Sequence, residues 1–396
     1  MERVKTLPQS KILQEWWQEV NKDFWQDTRH HMKRLLKELM ESTMEKEIEL
    51  YIRQYEGGKD KDNVYRNGCY NRSFVTRFGL ISGIEVPRLR KPGFRTKVFK
   101  RYCRYEDIVE DLIQDIFLAG VSTRRVGDAV SKLLNTKVSH TKVSNITRRL
   151  DVKVKEFHKR PILDEYQYLF LDAITLKIRY GNRYHNRKIL AAYGITVFGE
   201  RRLIAFTQAK GESFDAWEGL VNSLYQRGLK GDNLKLIATD GSKGLHSAIG
   251  IVYPHVPLQR CWAHKLRNVS NYLKKIHQDE CIDDARGIYL AQSKHHALSV
   301  FKAWKKKWSN KAPRAVRCLE KDLEELLNVF QCPKNHWKKI RTTNVIERSF
   351  REVRRRTRVI TCFSNLKSCE RIIYAIFTHL NNNWKERPIK NFTQFS

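Results

Sequence analysis

The sequence predicts a multidomain α/β protein, in which an α/β domain with a helical insertion follows smaller helical and β units. The chain has 396 residues, which is more than one core usually holds, and 41% of them are hydrophobic. From about residue 161 onward, short apolar runs alternate with amphipathic helical segments, the pattern of an α/β sheet domain. The segments before it lack that alternation and divide into a helical region, a β-rich region and a second helical region.

The charge of the chain indicates a polyanionic partner. Lys and Arg number 76 against 43 Asp and Glu, for a net charge of +33. Nucleic acid is the usual partner of such a surplus, and an anionic membrane surface is the alternative. The charge is spread along the whole chain, no long amphipathic anchor is present, and no apolar run approaches the ~18 residues of a transmembrane helix. We therefore expect DNA rather than a membrane as the partner.

The eight cysteines are scattered and contain no CxxC pair. This spacing excludes a disulfide framework and a plain zinc ribbon or finger. The first residues also lack the apolar core of a signal peptide. A reducing cytoplasm is the expected location.

Residues 1–60 predict an N-terminal helical region for DNA binding or dimerisation, followed by a small basic β unit over 61–104. The helix is marked by an apolar stripe at helical spacing, preceded by aromatic residues: Met32, Leu35, Leu36, Leu39 and Met40, after Trp16, Trp17, Phe24 and Trp25. This stripe either seats a partner subunit or packs within its own domain. The sequence YEGGKDKDN then breaks the helix, and the β unit turns at Phe78 and Gly79.

Residues 105–160 have the spacing of a helix-turn-helix DNA-binding domain. Ser122 is expected to cap the second helix and Ser139 the third. The inward residues of the two helices are predicted to be Val126, Ala129, Val130, Leu133 and Leu134, and then Val143, Ile146 and Leu150. The residues expected to contact DNA are Arg124, Arg125, Lys142, Asn145, Arg148 and Arg149. The alternative is a helical subdomain without a DNA-binding role.

Residues 161–396 predict the order of three strands, helix, strand, helix and strand, which is the order of a ribonuclease H-like domain. Helical, Lys- and Trp-rich sequence interrupts this order at about 270–335, and a closing helix begins near Asn344. In this topology the first and fourth strands lie side by side and parallel. Ligands of open α/β sheets bind beyond the carboxyl ends of such strands.

Three carboxylates are expected to meet at that edge of the sheet. Asp172 and Asp240 follow apolar strand-like runs, and Glu347 lies in the first turn of the closing helix. Three gathered acids repel one another unless a cation joins them, and in a basic protein this indicates two Mg²⁺ (or Mn²⁺) ions acting on phosphodiesters. The alternative roles are structural: the aspartates cap turns, and Asn344 with Glu347 forms a capping box.

The closing helix is also very basic, with nine basic and two acidic residues between Lys338 and Arg358. Ile346, Phe350 and Val353 form its predicted inner stripe. The basic residues expected to line DNA on another face are Arg351, Arg355 and Arg358, beside Arg354. A carboxylate followed by such a row suits metal chemistry beside a phosphate backbone.

A second constellation is Cys261 and His264 in the sequence QRCWAHKLRNV. The pair resembles half of a zinc site, but Cys281, His295 and His296 follow without tight spacing. The interpretation we prefer is that Cys261 packs at a strand end and His264 makes one hydrogen bond near the acids. The sequence supports neither a Ser/His/Asp hydrolase nor a Walker A loop.

Taken together and in order, six segments resemble the prokaryotic Mutator-like transposases, the IS256 family. They are RNGCYNRSFVTRFGLISGIEVPRLR, AGVSTRRVGDAV, LDAITLKIR, IATDGSKG, RCWAHKLRN and TTNVIERSFREVRRRT. The resemblance implies a DDE transposase with a ribonuclease H-like fold and a helical insertion. It also implies catalytic and metal-binding roles for Asp172, Asp240 and Glu347, a C-x2-H signature at Cys261 and His264, and a basic residue at Arg354.

The resulting prediction is a transposase that binds the terminal inverted repeats of its element, nicks their 3′ ends by hydrolysis and joins them to target DNA by transesterification. Because two DNA ends must be brought together, a homodimer or larger assembly is expected. Two alternatives stay open: a DNA-binding repressor or architectural protein that keeps the fold, and a structure-selective nuclease.

Overall fold

The structure is a computed structural model that describes residues 9–54, 65–90, 94–100, 102–119, 121–358, 362–363 and 365–393. Within these residues the chain forms two compact units. The first comprises Met1–Phe117 and Val121–Arg148, and the second comprises Leu118–Gly120 and Arg149–Ser396. The predicted helix break at YEGGKDKDN lies outside the described residues.

The first unit combines helices with one β-hairpin. Its elements are α1 (Gln9–Arg53), β1 (Arg66–Thr76), β2 (Gly79–Leu89), α2 (Asp107–Leu118), α3 (Thr123–Leu134) and α4 (His140–Thr147). The strands pair antiparallel, with Thr76 opposite Gly79, so the predicted turn is confirmed. Gly79 has a φ of +111°, and a Cβ there would lie 2.7 Å from the Leu134 carbonyl oxygen. The turn therefore requires glycine.

The apolar stripe of α1 divides into a packed side and an exposed side. Leu36 and Met40 pack on a small core that includes Met44 of the same helix and apolar residues of the hairpin. Leu35 and Leu39 are 55% and 62% exposed. The stripe therefore packs within its own unit only in part.

Helices α3 and α4 begin where the sequence predicted. The Ser122 hydroxyl accepts from the Arg125 N–H, and the Ser139 hydroxyl accepts from the Lys142 N–H. Two predicted core residues are corrected, because Ala129 and Leu133 are exposed, whereas Val126, Val130 and Leu134 of the same helix are buried. Val143, Ile146 and Leu150 are buried, as predicted.

The end of the predicted third helix is also corrected. Helix α4 stops at Thr147, and Leu150 begins the next helix. Arg148 and Arg149 therefore lie in the turn between two helices, and not on the outer face of one.

The second unit is α/β. It contains α5 (Leu150–Lys159), β3 (Tyr166–Tyr180), β4 (Arg183–Thr196), β5 (Arg201–Ala209), α6 (Phe214–Gln226), β6 (Leu236–Thr239), α7 (Lys243–Val252), β7 (Leu258–Arg260) and α8 (Trp262–Ser270). It continues with α9 (Lys275–Leu290), α10 (Lys294–Trp308), α11 (Pro313–Glu320), α12 (Leu323–Leu327), α13 (Trp337–Ile340), α14 (Asn344–Thr357), α15 (Leu366–Lys385) and α16 (Lys390–Thr393). The predicted order of three strands, helix, strand, helix and strand is confirmed over β3–β7.

In the described part of the chain these strands form one sheet of order β5-β4-β3-β6-β7. The first three are antiparallel, whereas β6 is parallel to both β3 and β7. One face packs on α6 and α7 through a core that includes Leu171, Trp217 and Leu245. On the other face Phe206 of β5 contacts Phe377 of α15. Because both faces are covered, the central strands are almost entirely apolar.

The segment predicted as a helical insertion is helical and has its own core. This core contains Trp262 of α8 together with Cys281, Trp304 and Trp308. Among the residues that the structure describes, none belongs to a helix of the length and apolarity that crossing a membrane requires.

Candidate active site at the edge of the parallel strands

Three residues with reactive side chains follow one another across the sheet. Leu171 of β3 is paired with Thr239 of β6, and Thr239 is paired with Arg260 of β7. The next residue along each strand is Asp172, Asp240 and Cys261, respectively. Since the strands are parallel, all three side chains belong to the same edge of the ladder.

Asp172 lies in the middle of a long strand, β3. Strand β3 continues to Tyr180 because it keeps its antiparallel partner β4, although its parallel partner β6 stops at Thr239. The Asp172 side chain is buried, and its Oδ1 accepts from the Ala173 N–H at 2.7 Å. Burial is the main cause that raises the pKa of this carboxyl to about 7, and the negative charges of Asp240 and Glu347 add to it.

Asp240 is partly exposed and begins a tight turn. Its Oδ1 accepts from the Ser242 N–H at 3.0 Å, so the aspartate does have the turn-capping role that was its structural alternative. Gly241 has a φ of +93°, and a Cβ there would lie 2.8 Å from the Arg260 Nη1. The guanidinium of Arg260 thus packs against the backbone that carries Asp240.

Glu347 is brought to the same edge by α14, but not as the predicted capping box. The N-cap is Thr343 rather than Asn344, and its side chain makes no capping hydrogen bond. Glu347 is therefore the fourth helical residue. Its Oε1 lies 3.3 Å from the His264 Nε2 instead of returning to the helix backbone. The predicted inner stripe of Ile346, Phe350 and Val353 is confirmed as buried.

Thr343 does not cap its helix because its hydroxyl is used elsewhere. The hydroxyl donates to the Cys261 Sγ at 3.3 Å and lies 3.4 Å from the His264 Nδ1, and the Thr343 N–H also donates to the Cys261 Sγ. The hydrogen bond with Cys261 is the main cause that raises the pKa of His264 to about 9, with the charges of Glu347 and Asp172 adding to it. Burial alone would raise the pKa of the Cys261 thiol, but hydrogen bonds from His264 and Thr343 outweigh it and lower that pKa.

The structure therefore gathers five of the residues that the sequence singled out: Asp172, Asp240, Cys261, His264 and Glu347. In the described residues, however, it contains no set of three or more His, Cys, Asp or Glu side chains arranged to hold a metal ion. Cys281 is buried in the core of the insertion, and His295 and His296 are exposed. The second half of a zinc site is thus not assembled in the part of the chain that the structure describes.

The predicted DNA-contacting residues are mostly exposed. Exposed side chains are found at Arg124, Arg125, Asn145 and Arg148 of the first unit and at Arg149, Arg351, Arg355 and Arg358 of the second, as well as at Arg354. Lys142 and Arg355 are among those that also make contacts within the protein. Lys142 is half-buried, 3.8 Å from the buried Glu110, which corrects its outward position. Arg355 donates to Glu352 at 2.9 Å.

Thr343 and Arg260 were missed by the sequence reasoning. Arg260 could have been noticed in the sequence, because it directly precedes Cys261. It is the last residue of β7, the strand next to the one that Asp240 follows. Nothing in the sequence marks Thr343, since a threonine before a helix is ordinarily read as a cap.

The chain matches the profile of the family described as "Transposase, Mutator family" over residues 8–387. It is 33% identical over 356 residues to the transposase for insertion sequence element ISRM5 of Rhizobium meliloti, an alignment that covers 90% of this chain and 89% of the relative. It is also 33% identical over 361 residues to the transposase for insertion sequence element IS256 in transposon Tn4001 of Staphylococcus aureus, with 89% and 90% covered. A third relative, the IS905 transposase of Lactococcus lactis, is 30% identical over 329 residues, with 83% of each chain covered.

The match extends over both compact units and over every segment on which the resemblance depended, from the β-hairpin of the first unit to α14. The chain therefore belongs to the Mutator family of transposases.

Proposed function

We propose that this transposase is of the DDE type and that Asp172, Asp240 and Glu347 are its catalytic carboxylates. The observation that carries the proposal is the register that makes Asp172 and Asp240 neighbours at the end of a parallel ladder. In the first step water attacks a phosphodiester at the end of the element and releases a 3′-hydroxyl. In the second step that hydroxyl attacks a phosphodiester of target DNA, and the leaving 3′-oxygen takes up the proton.

The donor set suits Mg²⁺ or Mn²⁺. All three side chains offer hard oxygen ligands. Burial is the main cause that raises the pKa of Asp172, and bound cations would relieve the repulsion from Asp240 and Glu347 that adds to it. When bound, two such ions would lower the pKa of the attacking water and stabilise the leaving oxygen. The described side chains do not yet form a metal-holding group. Glu347 lies on His264, so we propose that it exchanges this contact for a metal ion.

The surrounding residues have supporting roles in this proposal. His264 contacts Glu347 directly, Cys261 holds Thr343 at the start of the same helix, and Arg354 is the basic residue beside the DNA. The sheet order and the packing of α6 and α7 on one face of the sheet support a ribonuclease H-like catalytic domain over residues 161–396, interrupted by the insertion at about 270–335.

The first unit is proposed to recognise the terminal inverted repeats. The caps of α3 and α4 and the exposed Arg124, Arg125 and Asn145 support a helix-turn-helix within residues 105–160. Residues 1–60 would add a helical region to this DNA-binding part of the chain, and residues 61–104 would add a small basic β unit. Arg148 and Arg149 would contact the DNA backbone from their turn, together with Arg351, Arg355 and Arg358 of the catalytic domain.

The assembly is proposed to be a homodimer or a larger homo-oligomer, since one protein complex must hold two DNA ends. The exposed side of α1, with Leu35 and Leu39, supports such an assembly. The proposed location of the enzyme is the cytoplasm, in association with the nucleoid.

The test is strand cleavage and joining on labelled DNA that carries the element's own end, with Mg²⁺ or Mn²⁺. Wild type is compared with Asp172→Ala, Asp240→Ala and Glu347→Ala. We expect all three variants to bind the DNA end and to lose both nicking and joining. Variants that still cut would show that the three carboxylates are not catalytic. A wild type that binds the end without cutting would favour the alternative of a DNA-binding repressor.

A nuclease of the same fold is distinguished by binding. Replacing Asn145 should weaken binding to the element's end more than binding to unrelated DNA if the first unit reads sequence. Affinity should also fall steeply as salt increases, because many phosphates would be contacted. A flat salt response would contradict the role proposed for the basic residues.

A further inference from the structure

Strands β3 and β4 extend well past the catalytic edge of the sheet. Their other partners end early: β6 stops pairing with β3 at Leu171, and β5 stops pairing with β4 at Lys188. From Leu176 opposite Arg187 to Tyr180 opposite Arg183, the two strands pair only with each other within the sheet. We call this two-stranded extension, residues 176–187, the β-arm.

The β-arm projects in the direction in which β3 leaves the catalytic edge. Tyr180 follows Asp172 by eight residues on the same strand. At roughly 3.4 Å per residue, the tip lies about 27 Å beyond that carboxylate. Duplex DNA rises by about 3.4 Å per base pair, so this length corresponds to about eight base pairs.

The β3 strand of the β-arm is held close to the tip by the backbone of Phe363. The Arg179 N–H donates to the Phe363 carbonyl at 2.8 Å, and the Phe363 N–H donates to the Lys177 carbonyl at 3.0 Å. Phe363 and Ile178 are both buried. Because Phe363 follows α14 in the chain, these hydrogen bonds connect the arm to the segment that comes after the arginine row.

The exposed side chains of the β-arm are basic, aromatic and polar. Leu176 and Ile178 are buried, while Lys177 and Arg179 between them are exposed, as alternation along a strand requires. On β4 the exposed residues include Arg183 and Tyr184, and Tyr184 is 66% exposed. No acidic residue occurs between Ala173 and Gly199.

We propose that the β-arm is a DNA-contacting element that lies along the duplex next to the phosphodiester being cut. Its positive charge complements phosphates, and a two-stranded ribbon is narrow enough to follow a groove. The arm would keep the duplex aligned with Asp172 over about eight base pairs. This inference rests on the proposed function, because the position of the cut is defined by the catalytic carboxylates.

The competing explanation is that the charges only protect an exposed strand edge. Lysine and arginine on edge strands commonly prevent pairing with a second copy of the same protein. Under that explanation the arm would not touch DNA, and removing its charges would cause association between copies.

Photocrosslinking of the full chain distinguishes the two. The photoreactive p-benzoylphenylalanine replaces Tyr184. The control carries it in place of Tyr272, which is 54% exposed and lies between α8 and α9. The probe is a duplex that carries the element's end with its flanking DNA, without divalent cations. We expect crosslinks from position 184 within about eight base pairs of the cleaved bond and none from position 272. The absence of crosslinks from position 184, or crosslinks as frequent from position 272 as from position 184, would overturn the proposal.

A second measurement avoids any change in an aromatic side chain. Lys177→Gln with Arg183→Gln should lower the salt dependence of binding by about two counterions. Lys302→Gln with Lys306→Gln removes the same charge from exposed positions of α10 and should leave the salt dependence of binding unchanged. The proposal would be contradicted if both pairs of substitutions changed the salt dependence equally. It would also be contradicted if the Lys177 and Arg183 variant self-associated while its DNA binding stayed unchanged. Neither experiment requires cleavage, so a failure of the carboxylate proposal would be seen separately.

Discussion

Thr343 holds the thiol of Cys261 with two hydrogen bonds, from its backbone N–H and from its hydroxyl, each 3.3 Å long. The carbonyl of the same residue accepts from the Glu347 N–H at 3.0 Å. Thr343 thereby connects the end of β7 to the first turn of the helix that carries the third carboxylate. The connection is buried, so solvent does not compete with it.

Replacing Thr343 with valine should lower strand cleavage by about tenfold or more, because the hydroxyl contacts with Cys261 and His264 are lost while the side-chain volume and the backbone hydrogen bonds are kept. Thr343→Ser should restore most of the activity, since it keeps the hydroxyl. Cleavage rates and melting temperatures of both variants provide the check. If both variants lost activity equally, the hydroxyl would have no positioning role.

Gly241 is expected to be the least replaceable glycine near the site. In Gly241→Ala the alanine backbone would have to adopt a φ of +93°, and its Cβ would lie 2.8 Å from the Arg260 guanidinium. The backbone strain alone costs about 1–2 kcal/mol, and relieving the contact would displace Asp240. We expect a large loss of cleavage that exceeds the loss of stability.

Gly250→Ala is the matched control for that substitution. Gly250 lies in α7, and a Cβ there would meet no atom within 4 Å. An alanine in a helix should stabilise the protein by about 0.5–1 kcal/mol and leave cleavage unchanged. A Gly241→Ala variant as active as Gly250→Ala would show that the turn after Asp240 tolerates the side chain.

Without divalent cations, Asp172→Asn should stabilise the protein at alkaline pH. Burial raises the pKa of Asp172 from 3.8 to about 7 in the folded state. The folded protein therefore binds this proton more tightly than the unfolded chain, and stability falls as pH rises between these two values. Asparagine cannot ionise and avoids this loss. The gain in melting temperature over wild type should be larger at pH 8.5 than at pH 5, and an equal gain at both would contradict the assignment.

Asp322 is expected to be essential for the contact between the insertion and the sheet. It pairs with the buried ammonium of Lys265, and the Arg260 Nη1 donates to it at 2.9 Å. Asp322→Asn would leave a buried cation without its counter-charge, which typically costs about 3–5 kcal/mol. Chemical denaturation measures this cost.

The exposed ion pair of Asp283 with Arg286 is the control for Asp322. Asp283→Asn should change the free energy of unfolding by at most about 1 kcal/mol. Adding Lys265→Met to Asp322→Asn should recover part of the lost stability, because the unpaired charge is removed. If Asp322→Asn were as mild as Asp283→Asn, the insertion would be held by its apolar contacts alone.

Much of the architecture could be read from the sequence because local chemistry specifies it. Apolar runs of strand length and amphipathic helical segments gave the order of β3–β7 with α6 and α7, and Ser122 and Ser139 marked where two helices begin. The exposed Ala129 and Leu133 show the limit of periodicity. A stripe identifies residues able to pack, whereas the neighbouring elements decide which of them do.

The three carboxylates and the Cys261–His264 pair were likewise singled out by the sequence alone, since their residue types and flanking segments are local properties. The tertiary structure decided what each side chain contacts. Thr343 binds Cys261 instead of capping α14, Glu347 lies on His264, and β3 runs past Asp172 to form an arm. Each of these outcomes depends on partners that are distant in the chain, and the free energy of such contacts is absent from any short stretch of sequence.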